Sequence, residues 1–350
     1  MKLYLLGLLF IVLLPLLSCT QVQNIGLKKH LFSIGPRKII WLQVEGLHEE
    51  HFALLKMFNN GVDKKVSIEE SLCFGKNWSY DLFSLRPSSV RRSLAQFSGS
   101  NFLSPKEEIS KDIVDDVKRG LIWRQVAYTG AKMVFFEQAR EEKSLLNHFI
   151  MKEEETLKDL SFYRMDHHIQ INPKKKKKWF NTSLGEIPQE KGEIYYNYLC
   201  KQQKCKRHFS EEVIDFFVDF QKGRNNYLFI IRDTYLGDAI ERDDKENIIL
   251  ALSELNQLIS FFQEETKKAV NSDLLLLITS YNSKIPLYPK EGKHFSTPTD
   301  LTQMTFFKES SLLSPIWASG AKAENFCGLM EERELLNRMS FPEVRQKKFY

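Results

Sequence analysis

Asn226-Tyr-Leu-Phe-Ile-Ile-Arg-Asp233 is the stretch on which the fold turns. Its apolar side chains follow one another without alternation, which suits a strand covered on both faces, and the Arg-Asp pair marks where that strand leaves the core. Three other segments share the form: Lys38-Ile-Ile-Trp-Leu-Gln-Val-Glu45, Asp273-Leu-Leu-Leu-Leu-Ile-Thr-Ser280 and Ser314-Pro-Ile-Trp-Ala-Ser-Gly320. Each reads as a buried strand running into a polar tip. In an open α/β sheet, ligands bind outside the C-terminal ends of the strands, so the tips are where functional side chains are expected.

The intervening sequence supplies helices. Gly46 turns the first strand into a helix over 48–60, with Phe52, Leu54, Leu55 and Phe58 at helical spacing. Ser88 or Ser89 reads as the N-cap of a short helix ending near Gly99, after a mixed aromatic stretch over 67–85. A helix over 111–128 closes at Gly130 and leads into Lys132-Met-Val-Phe-Phe136, the repeating unit of a parallel sheet. Helices follow over 211–221, 244–269 and 324–339, the second with Ile248, Leu252, Leu255, Leu258 and Phe262 on one face. The expected fold class is α/β, with a mostly parallel central sheet flanked by helices on both faces. Residues 142–209 lack the helix–strand unit and read as an insertion or cap. They divide the core into 38–141 and 210–340, with 341–350 as a tail.

A chain of 350 residues, 43% of them hydrophobic, is long enough for one large core. The net charge of +5 is spread through mixed acidic and basic sequence, so a nucleic-acid partner gets no support. The N-terminus is more specific. Met1-Lys2 and the apolar run Leu3 to Leu14 are too short for a comfortable membrane span and match a signal peptide over 1–18. Leu16-Leu17-Ser18-Cys19 resembles the bacterial lipobox, which implies a lipid on Cys19 (palmitate and related acyl chains), a tether over 19–37 and attachment to a membrane of the cell envelope. Thr20 after the Cys, in place of Asp, favours the outer membrane by resemblance to the usual sorting rule. Cys73, Cys200, Cys205 and Cys327 remain, and Cys200-Lys-Gln-Gln-Lys-Cys205 suits a local disulfide, with a metal knuckle including His208 as the rival.

The tips hold Glu45-Gly46, Asp233-Thr-Tyr-Leu-Gly-Asp238 and Thr279-Ser280-Tyr281-Asn282. With Ser89-Val-Arg-Arg-Ser-Leu-Ala-Gln-Phe-Ser-Gly99 as a small-residue helix and Pro315-Ile-Trp-Ala-Ser-Gly-Ala-Lys-Ala-Glu-Asn-Phe-Cys-Gly328 as a closing strand and turn, this order resembles the alkaline phosphatase superfamily. The resemblance runs from Lys38 to Met339, with 142–209 uncovered. It implies Ser89 at the nucleophile position and Glu45, Asp233 and Asp238 at metal-ligand positions.

The departures weigh more. Where the family carries His or an Asp-His pair, this chain has Arg242 and Tyr281-Asn282, and Glu309 stands at the final His, with His294 unmatched nearby. Ser88 stands where phosphomonoesterases carry Asp. Two-metal hydrolysis needs several carboxylates and usually imidazoles. What remains suits either one divalent ion (Mg²⁺, Ca²⁺ or Zn²⁺) on Glu45, Asp233 and Asp238, or a metal-free site whose acids pair with Arg232 and Arg242, and the second is preferred. The expected protein is a membrane-anchored, catalytically inactive relative that binds an anionic ligand, a glycan or a protein partner. The alternative is a phosphate- or sulfate-ester hydrolase using Ser89, with Arg91, Arg92 or Arg242 stabilising charge. His48 and His51 share a helix face without a third partner. Asp166-His167-His168 reads as a solvated surface. The lysines from Lys174 through Lys178, beside Trp179 and Phe180, read as a solvated loop or a patch for anionic head groups.

Overall fold

The computed structural model describes residues 36–58, 66–78, 85–99, 121–127, 129–145, 158–165, 178–200, 208–224, 226–269, 273–288, 304–307 and 309–339. The strands are β1 (Lys38–Glu45), β2 (Cys73–Trp78), β3 (Lys132–Gln138), β4 (Ser161–Met165), β5 (Lys178–Phe180), β6 (Ile194–Asn197), β7 (Tyr227–Asp233), β8 (Leu274–Tyr281), β9 (Pro286–Leu287), β10 (Thr305–Phe306), β11 (Leu313–Gly320) and β12 (Gly328–Glu331). All but β9 and β10, which pair with each other, form one sheet in the order β12-β2-β11-β8-β1-β7-β3-β4-β6-β5. β11 is antiparallel to both its neighbours and every other pairing in this sheet is parallel. The mostly parallel α/β sheet expected from the apolar runs is therefore present, and β1, β7 and β8 lie side by side at its centre.

The helices are α1 (Glu50–Phe58), α2 (Ser89–Ser98), α3 (Ile122–Ala127), α4 (Phe209–Phe220), α5 (Tyr235–Glu241), α6 (Lys245–Lys268) and α7 (Glu334–Met339). They cover both faces. Ile40, Leu42 and Val44 of β1 share one core with Phe52 and Leu55 of α1, Phe216 and Phe217 of α4, and Leu255 and Phe262 of α6. Ile39 and Trp41 share the other with Leu94 and Phe97 of α2, Trp123 of α3 and Leu335 of α7. Each β1 side chain thus alternates between two apolar layers, which is why the strand reads as a continuous apolar run. Asp244 starts α6 by accepting a hydrogen bond from the Asn247 amide at 3.2 Å, and Gly99 ends α2 in a left-handed turn.

Two parts differ from expectation. Within residues 142–209, for which the sequence suggested no strand, β4, β6 and β5 pair in parallel beyond β3 and extend the sheet. These strands are only three to five residues long, too short to stand out as apolar runs. The stretch 324–339, expected as one helix, divides into a 3₁₀ turn (Ala323–Phe326), β12 and α7. A disulfide between Cys73 and Cys327 fastens this region to β2, and Gly75 permits the approach, since a Cβ there would lie 2.1 Å from the Phe326 carbonyl oxygen. Cys200 is also disulfide-bonded, while Cys205 and Cys19 lie outside the described residues, as do His167, His168 and His294. Among the described residues, no helix is long and apolar enough to cross a membrane.

Candidate functional site

At the C-terminal ends of the central strands the apolar layer under α2 becomes polar. Gln43 continues the series of Ile39 and Trp41, Arg232 that of Leu228 and Ile230, Glu137 that of Met133 and Phe135, and Thr279 that of Leu275 and Leu277. All four are fully buried. Register sets Arg232 between Gln43 and Glu137. Arg232 donates to Glu137 at 2.9 Å and to the Ser93 hydroxyl at 3.1 Å, and Ser93 donates to Gln43 at 2.6 Å. Gln96 accepts from Gln43 and Thr279 and donates to Glu332. The Glu137 carboxylate also accepts from the Leu145 amide at 3.0 Å. Buried charges persist only when matched in this way.

Beyond this layer lies a cluster of acids around one ammonium. Glu45 ends β1 and is fully buried. Asp238 and Glu241 lie on α5, which follows directly from β7. Lys143, in the 3₁₀ turn Glu141–Lys143 after β3, places its Nζ 3.1 Å from Glu45 Oε1, 3.0 Å from Asp238 Oδ1 and 2.8 Å from Glu241 Oε1. Arg140 adds a contact of 2.9 Å to Asp238. Asn282, held at a positive φ of 53°, donates to Glu45 Oε1 at 3.2 Å. Burial alone would weaken the Lys143 charge, but Glu45, Asp238 and Glu241 outweigh it and raise the pKa above that of an ordinary lysine. Gly237 brings the cluster together, because a Cβ there would stand 2.7 Å from Glu45 Cγ.

Asp233 ends β7, opposite Val44 in register. Its Oδ1 accepts from the Tyr235 amide at 2.8 Å, and burial raises its pKa to about 7 against that hydrogen bond. Tyr281, beside Glu45 in register, is fully buried with the Arg232 guanidinium 5.3 Å from its ring centre, and burial holds its phenol well above its usual pKa. Ser89 opens α2, one turn before Ser93 on the same helix face and so toward the same strand ends, and its Oγ has no hydrogen-bond partner among the described residues.

The same arrangement of sheet and helices occurs in solved structures. The alkaline phosphatase of the Antarctic bacterium TAB5 superposes with a TM-score of 0.65 at 14% identity, covering 89% of this chain and 98% of that one. The chain has an alkaline-phosphatase-like fold. The cold-active alkaline phosphatase of Shewanella sp. gives a TM-score of 0.63 at 11% identity, covering 86% of this chain and 98% of that one. That of Thermus thermophilus gives 0.62 at 10% identity, covering 91% and 94%. No protein-family model and no curated protein sequence matches the chain.

The alkaline-phosphatase-like fold implies metal ions at these strand tips, and the side chains here do not fit them. Around Glu45 and Asp238 the neighbours are donors: the Lys143 ammonium, the Arg140 guanidinium and the Asn282 amide. A protonated ammonium or guanidinium has no lone pair to give a cation, and its fixed positive charge repels one. Among the described residues no three His, Cys, Asp or Glu side chains are gathered closely enough to hold a metal.

The sequence expectations for this site need correction in their partners. Arg232 neutralises Glu137, and the Arg242 Nε donates to the Asp238 backbone carbonyl at 3.2 Å, so the cluster's acids are matched by Lys143 and Arg140 instead. Glu241 joins Glu45 and Asp238 around Lys143, while Asp233 accepts from the Tyr235 amide. Glu309, half of an exposed pair with Arg86, takes no part. His51 is buried and accepts the His48 amide at its Nδ1, with its pKa lowered to about 3 by burial. Phe180 packs in the core against Phe136 and Tyr163, and Lys178 pairs at the surface with Glu190 and Glu193, while 174–177 lie outside the described residues. Lys143 itself was hidden in Arg140-Glu-Glu-Lys143, a charged run that reads as solvated loop.

Proposed function

We propose that the protein is a membrane-anchored, alkaline-phosphatase-like lipoprotein of the cell envelope that does not hydrolyse phosphate esters and acts by binding. The observation that carries this reading is the Lys143 ammonium held between Glu45 and Asp238, at the strand tips where the fold's catalytic ions would be needed. Without those ions a serine at the Ser89 position has no activated form and the leaving oxygen has no Lewis acid. The cleft is then a recognition surface for an anionic ligand, a glycan or a protein partner. Attachment through a lipid on Cys19, with the outer membrane as the favoured site, rests on the lipobox-like Leu16-Leu17-Ser18-Cys19 and on Thr20, and the disulfides of Cys73, Cys327 and Cys200 suit the oxidising compartment that export would reach.

One observation favours the alternative hydrolase: the Ser89 Oγ lacks a partner among the described residues, as a poised nucleophile would. Hydrolysis of an aryl phosphate and an aryl sulfate by the protein without its first 19 residues, with Zn²⁺, Mg²⁺ or Ca²⁺ supplied, separates the two. The expected rate equals that of Ser89→Ala. Metal-dependent turnover abolished in Ser89→Ala would establish the hydrolase.

A further inference from the structure

The two edges of the large sheet are not alike. β5 closes one with Lys178, whose ammonium pairs with Glu190 and Glu193 at 2.9 Å each. A lysine on an edge strand guards it against further pairing. β12, Gly328-Leu-Met-Glu331, closes the other without Lys or Pro, and among the described residues no strand lies outside it. Glu331 stands opposite Trp78 in register, and the Glu332 amide donates to the Trp78 carbonyl at 3.1 Å. Alternate residues of a parallel ladder bond the same neighbour. Gly328, Met330 and Glu332 therefore face β2, and the N–H and C=O groups of Leu329 and Glu331 point away from the sheet. The edge is also held in place. The Cys73–Cys327 disulfide fixes its start, and Glu332, accepting from Gln96 at 2.7 Å, fixes its end. A Cβ on Gly328 would meet nothing within 4 Å, so an approaching chain has room. Leu329 is 60% exposed, and Phe74, 46% exposed, lies on the same face of the sheet.

We propose that the β12 edge docks an extended peptide of a partner protein as an antiparallel eleventh strand, the peptide carrying a basic and an apolar residue in the order basic–x–apolar. Only a strand satisfies outward N–H and C=O groups at a two-residue spacing, and Leu329 and Glu331 each exchange both main-chain bonds with the residue opposite. Chain direction sets the order. Antiparallel pairing places the apolar residue against Leu329 and Phe74, and the basic one, two positions earlier, against Glu331. Glu331 is free to take it, because its ion pair with the half-exposed Arg333 is a surface contact of little weight. A second copy of this chain fits poorly. Two-fold pairing of β12 with itself through both residues sets Leu329 against Glu331, apolar against charged. The surface is separate from the strand-tip cleft and does not depend on whether that cleft is catalytic.

The test is amide hydrogen exchange of the full chain in detergent, with and without an excess of the end-capped peptide Thr-Thr-Arg-Thr-Val-Thr-Thr. Exchange over 328–331 should slow at least about threefold when the peptide is present, as occupancy of the edge requires. Leu329→Pro removes an outward N–H and should abolish the slowing at Glu331 while the melting temperature stays near that of wild type. Should that variant fail to fold, the wild-type protein with a peptide N-methylated at its valine takes its place, since that peptide cannot donate to the Leu329 carbonyl and should give no slowing. The reversed peptide Thr-Thr-Val-Thr-Arg-Thr-Thr should protect less. No slowing with the first peptide, or equal slowing with the N-methylated or the reversed one, would overturn the proposal. Slowing that grows with protein concentration in the absence of peptide would overturn it too, by showing that a second copy takes the edge.

Discussion

Lys143 follows β3 and Glu45 ends β1, with β7 lying between those strands, yet the ammonium reaches across to within 3.1 Å of the Glu45 carboxylate. The turn after β3 therefore bends back over the tip of β7, where α5 begins, and ties three consecutive strand ends together. Glu45 is fully buried and Lys143 nearly so, which makes the contact one whose loss leaves charges stranded.

Removing the ammonium should be costly for stability. Breaking a buried pair by deleting one partner costs roughly 3–5 kcal/mol, and Lys143→Met should fall in that range by urea unfolding. A Glu45→Gln change made in the Lys143→Met background should recover part of the loss, because the stranded charge disappears with it. Additive losses from the two substitutions would show that the side chains do not interact.

Asp233 gives a pH dependence of opposite sign to a salt-bridged acid. Its carboxyl is held protonated up to about pH 7 in the folded protein, against an ordinary value of 3.8. The stability it contributes is complete below 3.8 and is lost as pH rises toward 7, because the folded state keeps a proton that the unfolded state releases. Asp233→Asn keeps an acceptor for the Tyr235 amide and should make the slope of stability against pH more positive between pH 4 and 7, as read from unfolding midpoints. An unchanged profile would place the titration elsewhere.

His51 acts over an overlapping window with the opposite sign, so the two contributions largely offset each other between pH 4 and 6.5. Burial lowers its pKa to about 3 from 6.5, and its Nδ1 is an acceptor for the His48 amide. The unfolded chain takes up a proton below pH 6.5 that the folded one refuses, so stability falls as pH drops from 6.5 toward 3, at up to about 1.4 kcal/mol per pH unit. His51→Asn should remove this slope even if it lowers stability overall. A slope that survives the substitution would show that another group is responsible.

Gly237 is the position where the smallest change should disturb the site. An added methyl would press on Cγ of Glu45 at 2.7 Å, and Glu45 is fully buried. Gly237→Ala should cost about 1–3 kcal/mol through overpacking, although alanine is the better helix former. A stabilised Gly237→Ala protein would mean that Glu45 is not held where the cluster needs it.

The sheet was legible because β1, β7 and β8 are buried on both faces, which leaves no alternation to confuse the reading. Glu45 was legible as an acid at a strand end, and Asp238 as one shortly beyond the end of β7. Their partner was not. Lys143 lies 98 residues from Glu45 in the sequence, and nothing in Arg140-Glu-Glu-Lys143 separates a buried ammonium from the solvated charges around it. Arg242 looked like the neutralising cation because it stands four residues after Asp238, but that spacing on a helix brings its guanidinium to the backbone carbonyl instead. β12 and the Cys73–Cys327 bond were missed for a related reason: the half-cystines are 254 residues apart, and β12 is a four-residue strand at the sheet edge with Gly328 and Leu329 exposed.

The most direct measurement is anomalous diffraction from crystals of the wild-type protein grown with Zn²⁺ or Mn²⁺, recorded at the absorption edge of the ion. The expected map shows the Lys143 side chain between Glu45 and Asp238 and no anomalous peak within bonding distance of either carboxylate. A peak on Glu45 and Asp238, with Lys143 turned away, would contradict the account and restore the metal-dependent enzyme.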